Sequence, residues 1–372
     1  MKNRQFTYDD HPQDSSTINL DRDRFIELLW EIDSQVDVLE FKGKVAGLKA
    51  SLASPNGDGK SWRATELSEN SIAVRKDVLI SELDQIIESR TLERARYYLK
   101  RLERGITQVR TGDVNDINLL RWKEYNDIIT DSLWVVPKRD ASGAHLGWYW
   151  GNFIPQIPHQ LILRYTRKGD WVLDPFLGSG TTLIECRRLG RNGIGVELSG
   201  EVCARASELL DRENNPLSVS THVVPGDART IDLRAEMSQL GVEHVQLLIM
   251  HPPYHDIIRF SDDPRDLSNA GSIEGFLAMF AESLDNLSPL VERGRYLALV
   301  VGDKYARGEW VPLGFRCMSE VLNRGYTLKS IVVKNFDETR AKRVQKQLWR
   351  YRALAGGYYI FKHEYIFVCK KT

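Results

Sequence analysis

A glycine-rich turn between an apolar strand and a helix constrains the fold of this chain more than any other segment. The apolar residues 171–173 end at Asp174, and the turn 175–180 leads into a helix that begins at Thr181. Because glycine has no Cβ and adopts positive φ readily, the two glycines of this turn let the backbone approach a ligand closely. A strand, a tight turn and a helix N-terminus form the unit that binds nucleotide-like cofactors in open α/β sheets.

Short apolar runs alternate with helical ones over the rest of this region. We expect strands at residues 171–173, 193–198, 221–224, 245–250, 296–301, 328–333 and 365–369. This alternation predicts a mostly parallel, seven-stranded sheet with helices on both faces. The run at 363–371 fits an antiparallel strand at the edge of such a sheet or inserted into it. We therefore assign residues 116–372 to one α/β domain.

Residues 1–115 show a different pattern. One helical face is formed by residues spaced four and three apart: Phe25, Leu29, Ile32, Val36 and Leu39. This spacing predicts a helix over residues 21–52, and a second helical region covers about 74–109. We expect an all-helical N-terminal domain whose two long helices pair with each other or with a second copy, serving recognition or dimerisation.

Composition excludes some classes of function. The 51 Lys and Arg residues balance the 51 Asp and Glu residues, so binding to nucleic acid would need a local basic face. The four cysteines form no C-x-x-C pair, which favours reduced thiols and no zinc site. No apolar stretch reaches the ~20 residues of a membrane span, and the polar N-terminus has no signal-peptide pattern. We expect a cytoplasmic protein without a membrane partner.

Two acidic residues follow the next two expected strands. Glu197 ends the strand at 193–198, seventeen residues after Gly180, and Asp227 follows the strand at 221–224. The first is the expected place for a carboxylate that binds both ribose hydroxyls, and the second can accept from an adenine amino group. The turn alone matches a simple tight connection, and a dinucleotide site is the other alternative. However, the sequence D-P-F-L-G-S-G-T-T is not G-x-G-x-x-G.

A second signature, His251-Pro252-Pro253-Tyr254, directly follows the expected strand at 245–250. Proline cannot donate an N–H, so the backbone carbonyls here stay free to accept hydrogen bonds from an amino substrate. The Tyr254 ring offers a face on which a base can stack. The alternative is a proline turn with no chemistry. His251 and His255 are four residues apart, but the prolines preclude the regular helix of an H-E-x-x-H zinc site.

With these two signatures the chain resembles the S-adenosylmethionine-dependent DNA amino-methyltransferases of the N6-adenine/N4-cytosine family, over roughly residues 145–371. The resemblance implies a Rossmann-like methyltransferase fold. It also implies methyl transfer from S-adenosyl-L-methionine to the exocyclic amino group of a flipped adenine or cytosine in double-stranded DNA. The implied catalytic residues are His251, Pro252, Pro253 and Tyr254. The implied cofactor-binding residues are Asn152, Phe153, Pro155, Asp174, Phe176, Gly178, Ser179, Gly180, Thr181, Thr182, Glu197, Leu198, Asp227 and Ala228.

The resemblance also implies individual roles. The N-terminus of the helix at Thr181 would face the methionine carboxylate of the cofactor, and Asp174 would meet its amino group. The segment from Asn152 to Pro155 would pack over the cofactor from the other side; a proline-rich loop leading into a helix is the alternative.

The first residue of the second signature departs from the family pattern, which has Asp, Asn or Ser where this chain has His251. A neutral imidazole accepts a hydrogen bond through one nitrogen, whereas the protonated ring only donates. We therefore expect activity to fall as His251 is protonated, near pH 6–7 for an unshifted histidine. The departure leaves adenine and cytosine open as targets. The chain also resembles a bacterial and archaeal group of methylase-like proteins in which H-P-P-Y is followed by D-L-S-N, here residues 266–269.

The strongest basic patch of the chain follows the expected strand at 328–333. Basic side chains interleaved with aromatic ones suit contact with phosphates and stacking on bases. A solvated helical face is an equally weighted alternative. The candidate nucleic-acid-binding residues are Lys334, Arg340, Lys342, Arg343, Lys346, Trp349 and Arg350.

The leading prediction is a site-specific DNA methyltransferase of the restriction-modification type. A tRNA or rRNA base methyltransferase is the alternative within the same enzyme class. A nucleic-acid-binding protein that keeps the fold but has lost catalysis is the alternative from another class. Expected partners are double-stranded DNA, with RNA as the alternative, a cognate restriction nuclease or defence-system protein, and a second copy of the chain.

Overall fold

The computed structural model describes residues 17–53, 62–64, 68–335 and 346–372. Within these residues the chain divides into two compact units. The N-terminal unit holds the described residues up to Asp113 together with Ile117–Asp127. The C-terminal unit holds Val114–Asp116 and the described residues from Ile128 to Thr372. None of the helices in the described residues is both long enough and apolar enough to cross a membrane.

The N-terminal unit combines four helices with a two-stranded antiparallel ribbon. The helices are α1 (Arg22–Asp33), α2 (Val38–Ala53), α3 (Lys76–Ile87) and α4 (Leu92–Thr107). The ribbon pairs β1 (Thr17–Asp21) with β2 (Ser71–Arg75). The expectation of an all-helical unit was therefore wrong on this point. Each strand has only five residues, with apolar side chains at alternate positions, and β2 leads directly into α3, so its pattern merges with that of the helix.

Each of the two long helices expected in this unit is divided into two shorter helices. No glycine or proline marks the break between α1 and α2 in the sequence. The Asp37 carboxylate starts α2 instead, because it accepts hydrogen bonds from the backbone N–H groups of Leu39 and Glu40 at 2.8 and 3.0 Å. Consequently Val36 and Leu39, expected on the apolar face, are 84% and 76% exposed. Thr91 caps α4 in the same way, accepting from Arg94 N at 3.2 Å.

The C-terminal unit is built on one sheet of eight strands, one more than the seven expected. The seven expected strands are present as β4 (Trp171–Asp174), β5 (Asn192–Glu197), β6 (Thr221–Pro225), β7 (Val245–Met250), β8 (Val291–Val301), β11 (Tyr326–Asn335) and β12 (His363–Lys371). The additional strand, β3 (Leu133–Trp134), is two residues long and pairs parallel with β11. A separate hairpin joins β9 (Lys304–Ala306) and β10 (Glu309–Val311).

The strand order is β3-β11-β12-β8-β7-β4-β5-β6. Every neighbouring pair is parallel except those of β12, which runs antiparallel between β11 and β8. The predicted antiparallel strand is thus confirmed, and of the two placements expected, at the edge or inserted, it takes the inserted one. The prediction of a mostly parallel, Rossmann-like sheet is confirmed as well.

Helices cover both faces of this sheet, as the apolar runs predict. Alternate residues of β7 face opposite sides, with Leu247 and Ile249 in one core and Leu248 and Met250 in the other. The helices are α5 (Gln156–Tyr165), α6 (Thr181–Leu189), α7 (Gly200–Arg212), α8 (Leu233–Gln239), α9 (Ile273–Leu287), α10 (Leu313–Leu322) and α11 (Lys346–Gly356). Short 3-10 turns lie at Leu119–Glu124, His255–Ile257, Leu267–Asn269 and Ser288–Leu290.

The chain reverses its direction of travel across the sheet beside β4. From β4 it proceeds through β5 to β6 at one edge, and then returns to β7 on the other side of β4. Open α/β sheets bind ligands at this point, outside the carboxyl ends of the strands. Both sequence signatures lie there, because β4 leads into the glycine turn and β7 leads into His251.

Candidate active site

A cavity of about 1260 Å³ lies at the carboxyl ends of the parallel strands. Its lining includes Gly178 from the glycine turn, Glu197 at the end of β5 and Asp227 after β6. All four residues of the His251–Tyr254 signature line the same cavity. The fold therefore brings the two signatures, more than 70 residues apart in sequence, to one site.

Gly178 needs both the conformation and the small size of glycine. Its φ is +54°, and a Cβ added here would lie 3.0 Å from Cε1 of Tyr149. Its N–H donates to Glu197 Oε2 at 2.9 Å. The glycine turn and the acid at the end of β5 are therefore joined directly. Gly180 also has positive φ, +84°, where it precedes α6.

Glu197, the residue expected to bind the ribose, keeps acceptor capacity on both carboxylate oxygens. Its Oε1 accepts from Ser199 N at 2.9 Å and its Oε2 from Gly178 N, so each oxygen keeps a lone pair for a further donor. Burial raises the pKa of this carboxyl above its ordinary value, against the lowering effect of the two backbone N–H groups; the negative charge of Asp266 adds to the rise. Leu198 lines the cavity next to it.

Asp174 stabilises the turn from within. It is 1% exposed, and its carboxylate accepts from Phe176 N at 3.0 Å and from the Thr182 hydroxyl at 2.5 Å. Burial raises its pKa to about 6. Asp174 does not line the cavity, and neither do the expected cofactor residues Ser179, Gly180, Thr181 and Thr182, whereas Phe176 and Ala228 do.

The segment before α5 covers the start of α6. Asn152 Nδ2 donates to Thr181 Oγ1 at 2.9 Å and also bonds to the Ser179 hydroxyl. Asn152 and Phe153 line the cavity, while Pro155 precedes α5 without lining it. The structure thus places an amide over the helix N-terminus that we expected to face the methionine carboxylate.

Asp227 is engaged by a neighbouring cation. Arg229 Nη2 lies 2.8 Å from Asp227 Oδ2, and Arg229 Nε lies 3.2 Å from both carboxylate oxygens. Arg229 N donates to Oδ1 at 2.9 Å. An adenine amino group would therefore share this carboxylate with Arg229, which the sequence motif did not indicate.

The His251 imidazole belongs to a chain of buried polar groups. His251 Nε2 lies 3.1 Å from the Tyr254 hydroxyl, which donates to Glu364 Oε2 at 2.9 Å. The other oxygen, Glu364 Oε1, lies 3.1 Å from the Lys334 ammonium. Gly302 leaves room for the tyrosine, since a Cβ there would lie 3.0 Å from Tyr254 Cε2. His251 also packs on Phe153, with ring centroids 4.8 Å apart.

Burial lowers the pKa of His251 to about 4; the carboxylate of Glu364 opposes this shift and the ammonium of Lys334 adds to it. Burial and the Glu364 charge raise the pKa of Tyr254 well above its ordinary value. His251 is therefore neutral at physiological pH. The titration that we expected near pH 6–7 moves to a much lower pH.

The described residues of the expected basic patch differ in their exposure. Lys334 is 5% exposed because the alternation of β11 turns it inward, so it is not part of an exposed face. Trp349 lines the cavity, and Arg350 on α11 is exposed. Arg340, Lys342, Arg343 and the side chain of Lys346 lie outside the described residues.

Sequence reasoning missed Glu364 entirely. The available signal was weak: an acid at the start of the last strand and a lysine near the end of β11. Only the register of the β11–β12 pair, in which Lys334 stands opposite Glu364, joins them. Aromatic residues of the lining were missed as well. Tyr149 stacks on Phe260 at 5.6 Å, and Tyr305 stacks on Tyr358 at 4.1 Å.

The D-L-S-N tetrapeptide folds the loop that follows the second signature. Asp266 accepts from Ser268 N and from the Ser261 hydroxyl, both at 2.8 Å, and lines the cavity. Asn269 Nδ2 donates to the backbone oxygens of Ser261 and Asp263 at 2.9 and 2.7 Å. These residues therefore shape the cavity wall beside Glu197.

His255 lies in a separate network from His251. Its Nε2 donates to Ala270 O at 2.8 Å and its Nδ1 accepts from Lys304 Nζ at 2.9 Å. This arrangement uses both ring nitrogens of the neutral imidazole.

In the described part of the chain one group has the residue types of a metal site: Asp140, His145 and Glu185. The Arg188 guanidinium lies 3.4 Å from Asp140 and 3.6 Å from Glu185 and already supplies a positive charge there. His145 and His159 also bond to the two oxygens of Glu185, at 2.6 and 2.7 Å. We interpret this group as an ion-paired cluster that supports α6.

Comparison with known proteins gives a family match over part of the chain. Residues 86–208 match the profile of a family described as DNA methylase, the N6/N4 class. This segment includes the glycine turn and Glu197. It begins at the end of α3, among residues expected to lie outside the resemblance, and stops before His251.

Individual relatives match over short stretches. The Type II methyltransferase M.MjaII of Methanocaldococcus jannaschii is 42% identical over 64 residues, which cover 17% of this chain and 12% of that protein. The Type II methyltransferase M.HpaI of Haemophilus parainfluenzae is 46% identical over 56 residues, 15% of this chain and 18% of that protein. The chain thus spans less than a fifth of either relative.

A solved structure of TrmN from Thermus thermophilus is similar with a TM-score of 0.38 and 19% identity, over 59% of this chain and 49% of that one. The residues of the cavity fit S-adenosylmethionine, the expected cofactor: Glu197 keeps free lone pairs, and Gly178 leaves the wall of the turn open. Residues 86–208 of the chain are therefore similar to DNA methylases of the N6/N4 class.

Proposed function

We propose that this protein is a site-specific DNA methyltransferase that modifies the amino group of a flipped adenine or cytosine. One observation carries the proposal: Glu197 and His251 line the same cavity, at the carboxyl ends of β5 and β7. A cofactor held at Glu197 and an amino group held at His251 would therefore share one cavity, which favours reaction by proximity and orientation.

The cofactor would be held by Glu197, Leu198, Phe176 and Gly178, with Asn152 and Phe153 on the opposite wall and Asp227 with Ala228 at the adenine end. When bound, S-adenosylmethionine supplies a methyl group on a positive sulfur: the amino nitrogen lone pair forms the new N–C bond, and the electrons of the broken C–S bond stay on sulfur. The remaining cofactor residues of the motif, Asp174 among them, hold the glycine turn in shape.

The chain itself positions the amino group. The amino nitrogen of adenine or cytosine is a poor nucleophile, because its lone pair is delocalised into the ring. A neutral imidazole at His251 and a backbone carbonyl of the two prolines that follow would accept its two hydrogens and favour a more tetrahedral nitrogen. Tyr254 would offer part of its ring face to the base. Since the amino edge is paired in duplex DNA, the base must leave the stack to reach this cavity.

We infer that the DNA contacts the basic segment around α11, with Arg350, Lys346, Arg340, Lys342 and Arg343 on the phosphates and Trp349 near the flipped base. Trp349 supports this placement, because it lines the cavity that receives the base. Lys334 serves the interior of the site instead.

We propose that the C-terminal unit is the catalytic domain and the N-terminal unit a recognition or dimerisation domain; the boundary expected at residues 115/116 is corrected, because Ile117–Asp127 belong to the N-terminal unit. We further propose that the protein acts in the cytoplasm together with a cognate restriction nuclease or defence-system protein. Light scattering of the full chain at several concentrations tests the dimer, and co-purification with the product of a neighbouring nuclease gene tests the partner.

The deciding experiment is transfer of labelled methyl groups from S-adenosylmethionine to duplex DNA and to structured RNA, followed by nucleoside analysis. We expect label in N6-methyladenine or N4-methylcytosine of DNA, and none with His251→Ala. Transfer to RNA only would replace DNA by RNA as the substrate. Cofactor binding without transfer to either would assign the chain to non-catalytic binding and overturn the proposal.

A further inference from the structure

We infer that Lys334, Glu364 and Tyr254 fix the tautomer of His251, so that its Nδ1 accepts the proton released by the methylated amino group. This inference rests on the proposed function for its chemistry, while its structural part stands on the hydrogen bonds alone. Lys334 and Glu364 line the cavity but reach His251 only through Tyr254, so the inference assigns them a positioning role.

The ion pair with Lys334 determines the direction of the hydrogen bond between Glu364 and Tyr254. An ammonium has donors and no acceptor, and an ionised carboxylate has acceptors and no donor. With Lys334 Nζ at 3.1 Å from Oε1, the Glu364 carboxylate keeps its charge partner on one side. Its Oε2, at 2.9 Å from the Tyr254 hydroxyl, therefore receives the tyrosine proton.

The hydrogen bond between Tyr254 and His251 then determines which imidazole nitrogen carries the proton. A phenol has one proton, and Tyr254 has donated it to Glu364. The tyrosine oxygen can then only accept from His251 Nε2, which lies 3.1 Å away. A neutral imidazole carries one N–H, so the proton is on Nε2 and the lone pair is on Nδ1.

The Nδ1 atom of His251 is the other nitrogen of the ring. No residue in the described ranges forms a hydrogen bond with this atom, and His251 lines the cavity. Phe153 packs against the ring at 4.8 Å between centroids, which restricts its rotation. The lone pair of Nδ1 is thus the part of the imidazole left for a ligand in the cavity.

The proton balance of the proposed reaction then closes within the site. As the amino nitrogen forms its new bond to carbon, it becomes positively charged. One N–H bond breaks, its electron pair stays on the nitrogen, and its proton passes to Nδ1. A positively charged aromatic amine is a strong acid, so a weakly basic imidazole suffices as acceptor. The Glu364 carboxylate then stabilises the transient imidazolium through Tyr254, and His251 returns the proton to solvent.

The test measures the tautomer directly, by ¹⁵N NMR of the full-length protein labelled at histidine. His251→Asn assigns the signal among the 8 histidines. We expect the wild type to carry its proton on Nε2. In Glu364→Gln the amide can donate to the tyrosine oxygen, which frees the tyrosine proton for Nε2, so we expect the His251 proton on Nδ1. A proton on Nδ1 in the wild type, or on Nε2 in Glu364→Gln, would overturn the inference.

Activity provides the second readout. We expect Glu364→Gln to lower kcat about 100-fold, within the range that correctly placed proton acceptors contribute, with KM for S-adenosylmethionine unchanged. Glu236→Gln, an exposed acid on α8, is the matched control and should keep both the tautomer and kcat. An unchanged kcat in Glu364→Gln would also refute the positioning role.

A further variant tests the inference in case Glu364→Gln does not fold. Lys334→Met with Glu364→Leu replaces the ion pair by apolar side chains. Of the two hydrogen-bond partners that the Tyr254 hydroxyl has among the described residues, it leaves Nε2 as the acceptor. We expect the proton on Nδ1 here too, and Nε2 would refute the inference. Absence of methyl transfer to any nucleic acid by the wild type would overturn the proposed function, while the NMR measurement would still decide the tautomer.

Discussion

The Lys334 ammonium lies 3.1 Å from the Glu364 carboxylate, and the two residues stand opposite each other in the pairing of β11 with β12. Both side chains are 6% exposed. A charge pair removed from water depends on both members, because either one alone would be buried without compensation. This pair therefore has a structural consequence that does not depend on catalysis.

Removal of one member should destabilise the fold. We expect Glu364→Ala to lower the free energy of unfolding by about 3–5 kcal/mol, the usual cost of leaving one buried charge unpaired. Lys334→Met combined with Glu364→Leu should recover most of this loss, since no charge remains buried. Urea denaturation followed by circular dichroism measures both. As a control, Asp262→Ala breaks the exposed pair with Arg259, and it should leave the unfolding midpoint unchanged. Equal effects of the two alanine variants would contradict the buried-pair interpretation.

The pH dependence of activity should reflect a histidine that stays neutral. Burial lowers the pKa of His251 to about 4, so the neutral, accepting form is complete at pH 7 and is lost only as the pH falls toward 4. We expect kcat/KM to show no acid limb between pH 8 and about pH 5 from this group. His251→Asn, which cannot titrate, should lack the limb near pH 4 altogether.

Folding must be followed in the same samples. An unfolded histidine titrates near 6.5, above the folded value, so the unfolded chain binds the extra proton first as the pH falls. Stability is therefore lost as the pH falls from about 6.5 toward 4. An acid limb centred near pH 6–7 in a protein that stays folded would contradict a buried, neutral His251.

The sequence predicts the cofactor half of the site better than the catalytic half. Gly178 and Glu197 were found because local patterns place them: a glycine turn after a strand, and an acid at the end of the next strand. The hydrogen bond from Gly178 N to Glu197 Oε2 is possible because β4 and β5 are adjacent parallel strands. Such neighbours can be expected from the alternation of strands and helices alone.

Glu364 and the inward position of Lys334 could not be predicted in the same way. Their contact depends on the register of two antiparallel strands, and a shift by one residue would turn each side chain to the other face. Likewise, the expected first helix is divided because the Asp37 carboxylate caps the start of α2 through two backbone hydrogen bonds, although the apolar pattern continues past this break. In both cases a tertiary contact or a helix cap, rather than the local apolar pattern, determines the structure.

The glycine turn should not tolerate a methyl group at Gly178. Gly178→Ala would place a Cβ 3.0 Å from Tyr149 in a residue with φ of +54°, in the cavity wall. We expect a cost of about 1–2 kcal/mol for the left-handed backbone, and at least tenfold weaker S-adenosylmethionine binding by calorimetry.

Gly169→Ala is the matched control, because Gly169 has φ of +82° but nothing within 4 Å of the added atom. It should show the backbone cost without the loss of binding. Equal affinities in the two variants would show that the turn does not contact the cofactor.

Glu197→Gln should weaken cofactor binding while the fold persists. Glu197 accepts one backbone N–H at each oxygen, and an amide can offer an oxygen to only one of them. The other N–H would face an NH₂ group, at a cost of about 1–3 kcal/mol, and one acceptor for the ribose would be lost. Calorimetry with S-adenosylmethionine should show a dissociation constant raised at least tenfold. Glu201→Gln, an exposed acid on α7, should bind like the wild type. Comparable affinities for all three proteins would remove Glu197 from the cofactor site.

The basic segment around α11 should determine the salt dependence of DNA binding. Each phosphate contact releases counterions, so losing one contact reduces the slope of log K against log salt by about 1. We expect Lys342→Ala with Arg343→Ala to reduce the slope by about 2 and to weaken binding on every DNA sequence. Fluorescence anisotropy at several salt concentrations measures the slope. Arg293→Ala with Lys329→Ala removes the same charge from two exposed positions on β8 and β11 and should leave the slope unchanged. If both double variants changed the slope equally, only net charge would matter, and the segment around α11 would not be the DNA interface.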